Sequence, residues 1–221
     1  MIIVHHLEDS RSQRILWLLE ELGLDYEIKR YLRDKETRLA PKALKDVHPL
    51  GKSPVIEDNG IVVAETGAIV EYLVGEHGGG DIVAPMTAEE KRQYTYWLHF
   101  AEGSLMPQLL LKLFFTQVKE AKMPFFAKPI AKGIADRVLG SYVDPNIETQ
   151  FAFINDHLAR NAWFAGDAIS GADIMMSFPL EAGADRAGAG KLKAIKGYLE
   201  KIHARPAYAR ALERGGPYVY A

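Results

Sequence analysis

Residues 55–64 constrain this chain more than any other stretch. Val55-Ile-Glu-Asp58 and Ile61-Val-Val-Ala64 are two short apolar runs separated by Asn59-Gly60. Asn-Gly tolerates the positive backbone angles of a two-residue hairpin, so the runs are expected to pair as antiparallel strands. A lone hairpin of this size is only marginally stable and needs further strands or a packed helix. The sequence on either side offers both. Residues 2–6 form a short apolar run suited to a buried strand, and residues 26–31 alternate apolar with charged side chains as a half-buried strand does. Between them, residues 11–23 carry Ile15, Leu16, Leu18, Leu19 and Leu22 at helical spacing, with Gly23 as the stop. Strand, helix and strand in succession predict a parallel βαβ unit. A short helix is expected within residues 41–46. Thr66 is placed to cap a further helix reaching His77, with Ile69, Val70, Leu73 and Val74 on one face. The expected order is β-α-β-α-β-β-α.

No strand-like segment follows residue 64. Gly78-Gly-Gly-Asp81 and Ala84-Pro85 make the clearest break in the chain, and we expect a linker at residues 81–86 between an α/β domain (1–80) and an all-α domain (87–221). Thr87-Ala-Glu-Glu90 has the spacing of a capping box and opens a helix to about residue 118, with Pro107 expected to kink it. Another helix is expected from Met123-Pro124 to Ser141. Asp144-Pro145 reads as a cap and first helical residue, resuming helix to Arg160. Ser170 and Asp173 repeat the capping-box spacing ahead of a helix to Asp185. Residues 191–204 and 206–214 complete the helical set.

Composition excludes several chemistries. The 221 residues contain no cysteine, which removes disulfides, thiolate metal sites and cysteine nucleophiles. A net charge of −2 favours neither nucleic acid nor an anionic membrane, so neither is expected as a partner. No basic region precedes an apolar run at the N-terminus, and the apolar stretch near residues 109–115 is broken by Lys112 and too short to span a bilayer. A cytoplasmic location is the expectation. His5 and His6 are adjacent on a strand and face opposite sides, so they do not chelate and no metal is expected.

Two sites read as chemical rather than structural. Ser53-Pro54 opens a strand, where proline leaves backbone hydrogen-bonding groups without a ladder partner. Glu65-Thr66 brings a carboxylate, a hydroxyl and a helix N-terminus to one point, a place to hold a small zwitterion. Three separated motifs, specific in their order and spacing, then carry a resemblance that covers the whole chain: Ser10-x-x-x-Arg14, Pro49-Leu-Gly-Lys-Ser-Pro54 with Glu65-Thr66, and Ser170-Gly-Ala-Asp173. The sequence resembles cytosolic glutathione transferases. Within them it is most like bacterial and fungal members with a serine-type or unsettled active site.

The resemblance implies a thioredoxin-like N-terminal domain, an all-helical C-terminal domain and a homodimer. It implies glutathione as cosubstrate and no metal. Lys52 matches the position whose ammonium meets the glycine carboxylate of glutathione, against the plainer reading of an exposed loop lysine. Ser53 and Pro54 match the residue before a cis-proline and the proline, where the main chain of the former pairs with the cysteinyl part. Glu65 and Thr66 match the pair that holds the γ-glutamyl end. Ser10 matches the hydroxyl that donates to the sulfur in serine-type classes. Read from the residues alone, Ser10 to Gln13 is a capping box, so Ser10 is equally a helix cap. Ser12 and Arg11 are the alternatives for activating the thiol. Arg14, Ser170 and Asp173 are assigned to folding, with Arg14 expected to pair with a carboxylate at the domain boundary. Phe100, Leu105 and Gln108, with Glu102, Ser104 and Leu109, are helically spaced candidates for a second-substrate pocket. That pocket would take a hydrophobic electrophile or a hydroperoxide. The alternative from a different class is a non-catalytic relative that binds without turnover.

Overall fold

A computed structural model describes residues 1–80, 82 and 84–220 of the chain. Asp81 and Val83, inside the expected linker, lie outside the described residues, as does Ala221. The first half of the chain follows the expected order. Strands β1 (Ile2–Leu7), β2 (Tyr26–Tyr31), β3 (Val55–Asp58) and β4 (Ile61–Ala64) alternate with helices α1 (Ser12–Leu22), α2 (Leu44–Val47) and α3 (Thr66–His77). They form one mixed sheet of order β2-β1-β3-β4. β1 and β2 are parallel, from Ile2 opposite Tyr26 to Leu7 opposite Tyr31. β3 runs antiparallel to both β1 and β4. Asn59 and Gly60 take φ of 48° and 88°, the left-handed turn that their side chains tolerate. α2 is shorter and later than expected.

From Ala88 onward the described residues are helical or irregular. The helices are α4 (Ala88–Phe100), α5 (Met106–Glu120), α6 (Lys128–Val138), α7 (Asp144–Arg160), α8 (Gly171–Arg186), α9 (Lys193–His203) and α10 (Pro206–Gly215). Both capping boxes form. Thr87 accepts from the Glu90 N–H at 3.1 Å while Glu90 accepts from the Thr87 N–H at 2.8 Å. Asp173 accepts from the Ser170 N–H at 2.9 Å and from the Phe164 N–H at 3.1 Å. Burial pushes its carboxyl up to about 6, against these hydrogen bonds, which favour the anion.

α1 joins the two halves. Its Leu18, Leu19 and Ile15 are fully buried, and so is Trp17. A helix apolar on more than one face belongs inside a protein rather than on its surface. Here α1 packs on β1 and α3 on one side and on α8 and α10 on the other. One core therefore runs from the sheet into the helical layer.

The kink expected at Pro107 takes a specific form. π-helical turns at Ala101–Leu105 and Leu139–Val143 connect α4 to α5 and α6 to α7. Each is followed by a proline at the second position of the next helix, Pro107 and Pro145. Proline has no N–H to donate, and its ring crowds the carbonyl four residues back; a widened turn relieves both. Asp144 is therefore not the cap of a new helix. It continues a single bent run from Lys128 to Arg160.

Candidate functional site

The loop before β3, the N-terminus of α3 and the end of α4 enclose a cavity of about 580 Å3. Lys52, Ser53, Pro54, Glu65 and Thr66 all line it, although they come from both sides of the hairpin. β3 stops pairing with β1 at Val55, opposite His5. Ser53 finishes the edge with its side chain: its hydroxyl donates to the His5 carbonyl at 2.8 Å and accepts from the Leu7 N–H at 3.2 Å. The Ser53-Pro54 peptide bond is cis. Among the described residues the main-chain N–H and C=O of Ser53 have no partner.

Glu65, not Thr66, stands at the N-cap of α3, and no side chain caps the helix. Thr66 is the first helical residue. The expected cap is therefore absent, and the first N–H groups of α3 keep no side-chain acceptor. Glu65 holds φ 71° and ψ 125°, a conformation that a side chain other than glycine's rarely adopts. Backbone held this way concentrates at ligand clamps. The turn leaves the Glu65 carboxylate exposed beside the open helix end.

Ser10 is not in this cavity. It lines a neighbouring one of about 370 Å3, and Arg11, Lys52 and Ser53 belong to both. The expected capping box is not formed: α1 begins at Ser12, Arg11 stands at its N-cap without a side-chain bond, and Ser10 takes only the first helical N–H. Ser10 is 7% exposed. Its hydroxyl donates to the Leu7 carbonyl at 2.8 Å, accepts from the Ser12 N–H at 3.2 Å and lies 2.7 Å from Ser12 Oγ. Ser12 is fully buried and lines neither cavity. Its Oγ is 2.8 Å from His6 Nδ1. Burial pulls the His6 pKa down to about 4, aided by Arg30 and opposed by a backbone hydrogen bond at Gly215, so the ring is neutral.

Arg11 borders both cavities. Its Nε donates to the two Glu102 oxygens at 3.0 and 3.1 Å, and its guanidinium lies 5.5 Å from the centre of the Phe178 ring. The terminal nitrogens of Arg11 have no hydrogen-bond partner among the described residues. Buried Arg14 pairs with the same carboxylate and donates to the Met175 carbonyl at 2.5 Å. This is the domain-boundary pairing that the sequence predicts for Arg14. Burial alone would raise the Glu102 pKa, but Arg14 and then Arg11 hold it below the usual range.

Of the expected helical wall, Glu102 alone lines a cavity. Phe100, Leu105 and Gln108 line neither cavity. Phe100 packs among Tyr96, Trp97 and Phe153, and Leu105 is in the core. The wall is made by Leu98, His99, Glu102 and Gly103 of the α4–π segment and by Met175 and Phe178 of α8. A π turn adds about one residue to the helical count, which rotates later side chains by about 100°. This bears on Gln108, which follows the turn, and not on Phe100, which precedes it. His48 is a further wall residue absent from the sequence reading, and its buried Nδ1 has no partner among the described residues.

Known proteins agree with this architecture. The family profile for the glutathione S-transferase N-terminal domain matches residues 1–75, and that for the C-terminal domain matches residues 123–206. Glutathione S-transferase 1 of Saccharomyces cerevisiae is 36% identical, covering 97% of this chain and 95% of its own. Glutathione S-transferase 3 of Schizosaccharomyces pombe is 35% identical, covering 97% and 88%. The crystal structure of a glutathione S-transferase from Actinobacillus pleuropneumoniae is 33% identical. It superimposes with a TM-score of 0.81, covering 99% of this chain and 94% of that one. The mixed four-stranded sheet is thus the thioredoxin-like N-terminal half of a two-part fold completed by the helical layer, and the chain belongs to the glutathione S-transferase family.

Proposed function

We propose that the larger cavity binds glutathione and that the protein activates its thiol for attack on an electrophilic or peroxide second substrate. One observation carries the reading: Lys52, Ser53, Glu65 and Thr66 converge on one cavity where an uncapped helix end and a free stretch of main chain also open. Each feature suits one part of the tripeptide. The γ-glutamyl carboxylate takes the Thr66 hydroxyl and the first N–H groups of α3, and its ammonium takes Glu65. Ser53 offers a main-chain N–H and C=O to the cysteinyl unit, beside Pro54. Lys52 meets the glycine carboxylate.

Thiol activation then falls to the junction of the two cavities, to Ser10 on the smaller one and Arg11 on both. A free thiol has a pKa of about 8.5, and each unit removed is worth about 1.4 kcal/mol. Ser10 donates to the sulfur by turning its hydrogen away from the Leu7 carbonyl, while the Ser12 N–H still supports its oxygen. Arg11 supplies positive charge at the same junction. Ser12 acts through Ser10, since it has no exposed surface of its own. The second substrate, a hydrophobic electrophile or a hydroperoxide, enters over Phe178 and Met175. We further propose a cytoplasmic homodimer divided at residues 81–86.

Titration calorimetry with glutathione tests the reading. Saturable binding at millimolar ligand or below is expected, and no detectable heat at that concentration overturns it. Binding without turnover over a broad panel of electrophiles and hydroperoxides overturns the catalytic half and leaves a binding protein.

A further inference from the structure

The connection between α5 and α6 lies outside both cavities. It reads Ala121-Lys-Met-Pro-Phe-Phe-Ala127. Phe125 is 88% exposed, more than any other large apolar residue described, and Phe126 is 66% exposed. Their rings touch each other edge to face, with centroids 5.7 Å apart, and meet no other ring among the described residues. The two helices that this connection joins and that pack on each other carry further exposed apolar side chains, Ile130 and Ile134 on α6 and Phe114 and Val118 on α5. Six exposed apolar side chains around one connection are more than the scattered single ones usual on a soluble surface.

Charge identifies the occupant. Residues 116–137 hold five basic side chains against Glu120 and Asp136, in a chain whose net charge is −2. Lys119 is spent on Asp136, at 2.6 Å. Lys122, Lys128 and Lys132 form no salt bridge among the described residues, and Lys122 and Lys128 stand three residues before and two residues after the phenylalanine pair. Aromatic rings between lysines suit a lipid interface. The rings enter the boundary between headgroups and acyl chains, while the ammonium groups stay among the phosphates. A second copy of this chain suits the tip poorly where a two-fold axis passes through it, because the same three lysines then face each other.

We propose that the α5–α6 tip docks the protein reversibly on an anionic lipid surface, with Phe125 and Phe126 inserted and Lys122, Lys128 and Lys132 as the electrostatic contacts. This departs from the expectation drawn from net charge, because carboxylates elsewhere in the chain mask the local excess. A single patch of this size gives weak, salt-sensitive attachment rather than a permanent anchor.

The test is co-sedimentation of the full chain with vesicles of phosphatidylcholine alone or mixed with phosphatidylserine. Binding is expected only to the anionic vesicles, and it is expected to fall as salt is raised. Phe125→Ser with Phe126→Ser should lower the partition coefficient by about tenfold or more. Replacing Lys122, Lys128 and Lys132 by Glu should lower it by about a hundredfold. Melting temperature and glutathione binding should stay unchanged in both variants. Equal recovery in the supernatant with both kinds of vesicle overturns the proposal, as does wild-type partition of either variant. A change in sedimentation coefficient of the Phe125/Phe126 variant without lipid also overturns it, by making the tip a self-association surface.

Discussion

Replacing Glu102 by Gln removes the carboxylate that two arginines share across the domain boundary, and its cost follows from which arginine is left. Arg11 is about one-third exposed and regains water when its partner goes. Arg14 does not: its side chain is 1% exposed, its Nε is already without a partner, and after the substitution the Met175 carbonyl is its main remaining acceptor. Breaking a buried ion pair by removing one partner costs about 3–5 kcal/mol. Glu102 is itself a third exposed, so water reaches the vacated position, and the expected loss is at the lower end, about 3 kcal/mol. For a chain of this length that lowers the melting temperature by about 6–12 °C. Urea unfolding followed by tryptophan fluorescence measures the free energy, and calorimetry the temperature. Because the Glu102 pKa is depressed in the folded state, its contribution is present above the unfolded carboxylate range and is lost as pH falls through the folded value. The gap between wild type and variant should therefore close below a pH of about 4. Removing both charges together, with Arg14→Met and Glu102→Leu, should recover much of the loss, since the penalty is the stranded cation rather than the missing attraction. A loss below about 1 kcal/mol in Glu102→Gln, or no recovery in the double variant, would refute the claim that Arg14 depends on this carboxylate.

Three further outcomes are expected. Ser10→Ala should raise the pKa of bound glutathione's thiol, read from thiolate absorbance against pH, with affinity nearly intact; an unchanged profile moves the role to Arg11. Lys52→Ala should weaken glutathione binding by about tenfold, most of it lost at high salt if the lysine meets a carboxylate; calorimetry at two ionic strengths decides, and an unchanged dissociation constant removes Lys52 from the site. Asp173 has a folded pKa raised to about 6, so the folded state takes up its proton before the unfolded state does, and wild-type stability relative to Asp173→Asn should rise as pH drops from about 6 to about 4; the opposite slope in parallel urea titrations would mean that its hydrogen bonds outweigh burial.

The sheet was readable because local and long-range signals coincide in it. Asn59-Gly60 specifies a turn that only one strand arrangement uses, and period-two alternation in β2 agrees with its half-buried position beside β1. Both capping boxes of the helical layer were readable for the same reason, each being closed within four residues. The cap expected at Thr66 failed because helix propensity ranks residue types, whereas the φ of Glu65 is set by the close β4–α3 turn. Nothing local distinguishes a threonine that caps from one displaced by a single residue into the first turn.

The candidate site divides along the same line. Lys52, Ser53, Pro54, Glu65 and Thr66 lie on either side of one hairpin, so folding the hairpin is nearly enough to bring them together. Ser10 lies next to α1, and the direction of its hydroxyl depends on the Leu7 carbonyl and on Ser12, which is in turn hydrogen-bonded to His6. That is a contest among neighbours that no motif records. The opposite wall depends on something less local still. Helical spacing from Phe100 selects Leu105 and Gln108 only if α4 runs on unbroken, and Pro107 prevents it. The resulting π turn is where Glu102 sits, the one expected candidate that does line the cavity, and it meets Arg11 and Arg14 there. Proline inside a helical pattern near a domain boundary is therefore better read as a change of face than as a kink. In this chain that rule points away from Gln108, beyond the turn, and toward the turn itself, where Glu102 lies.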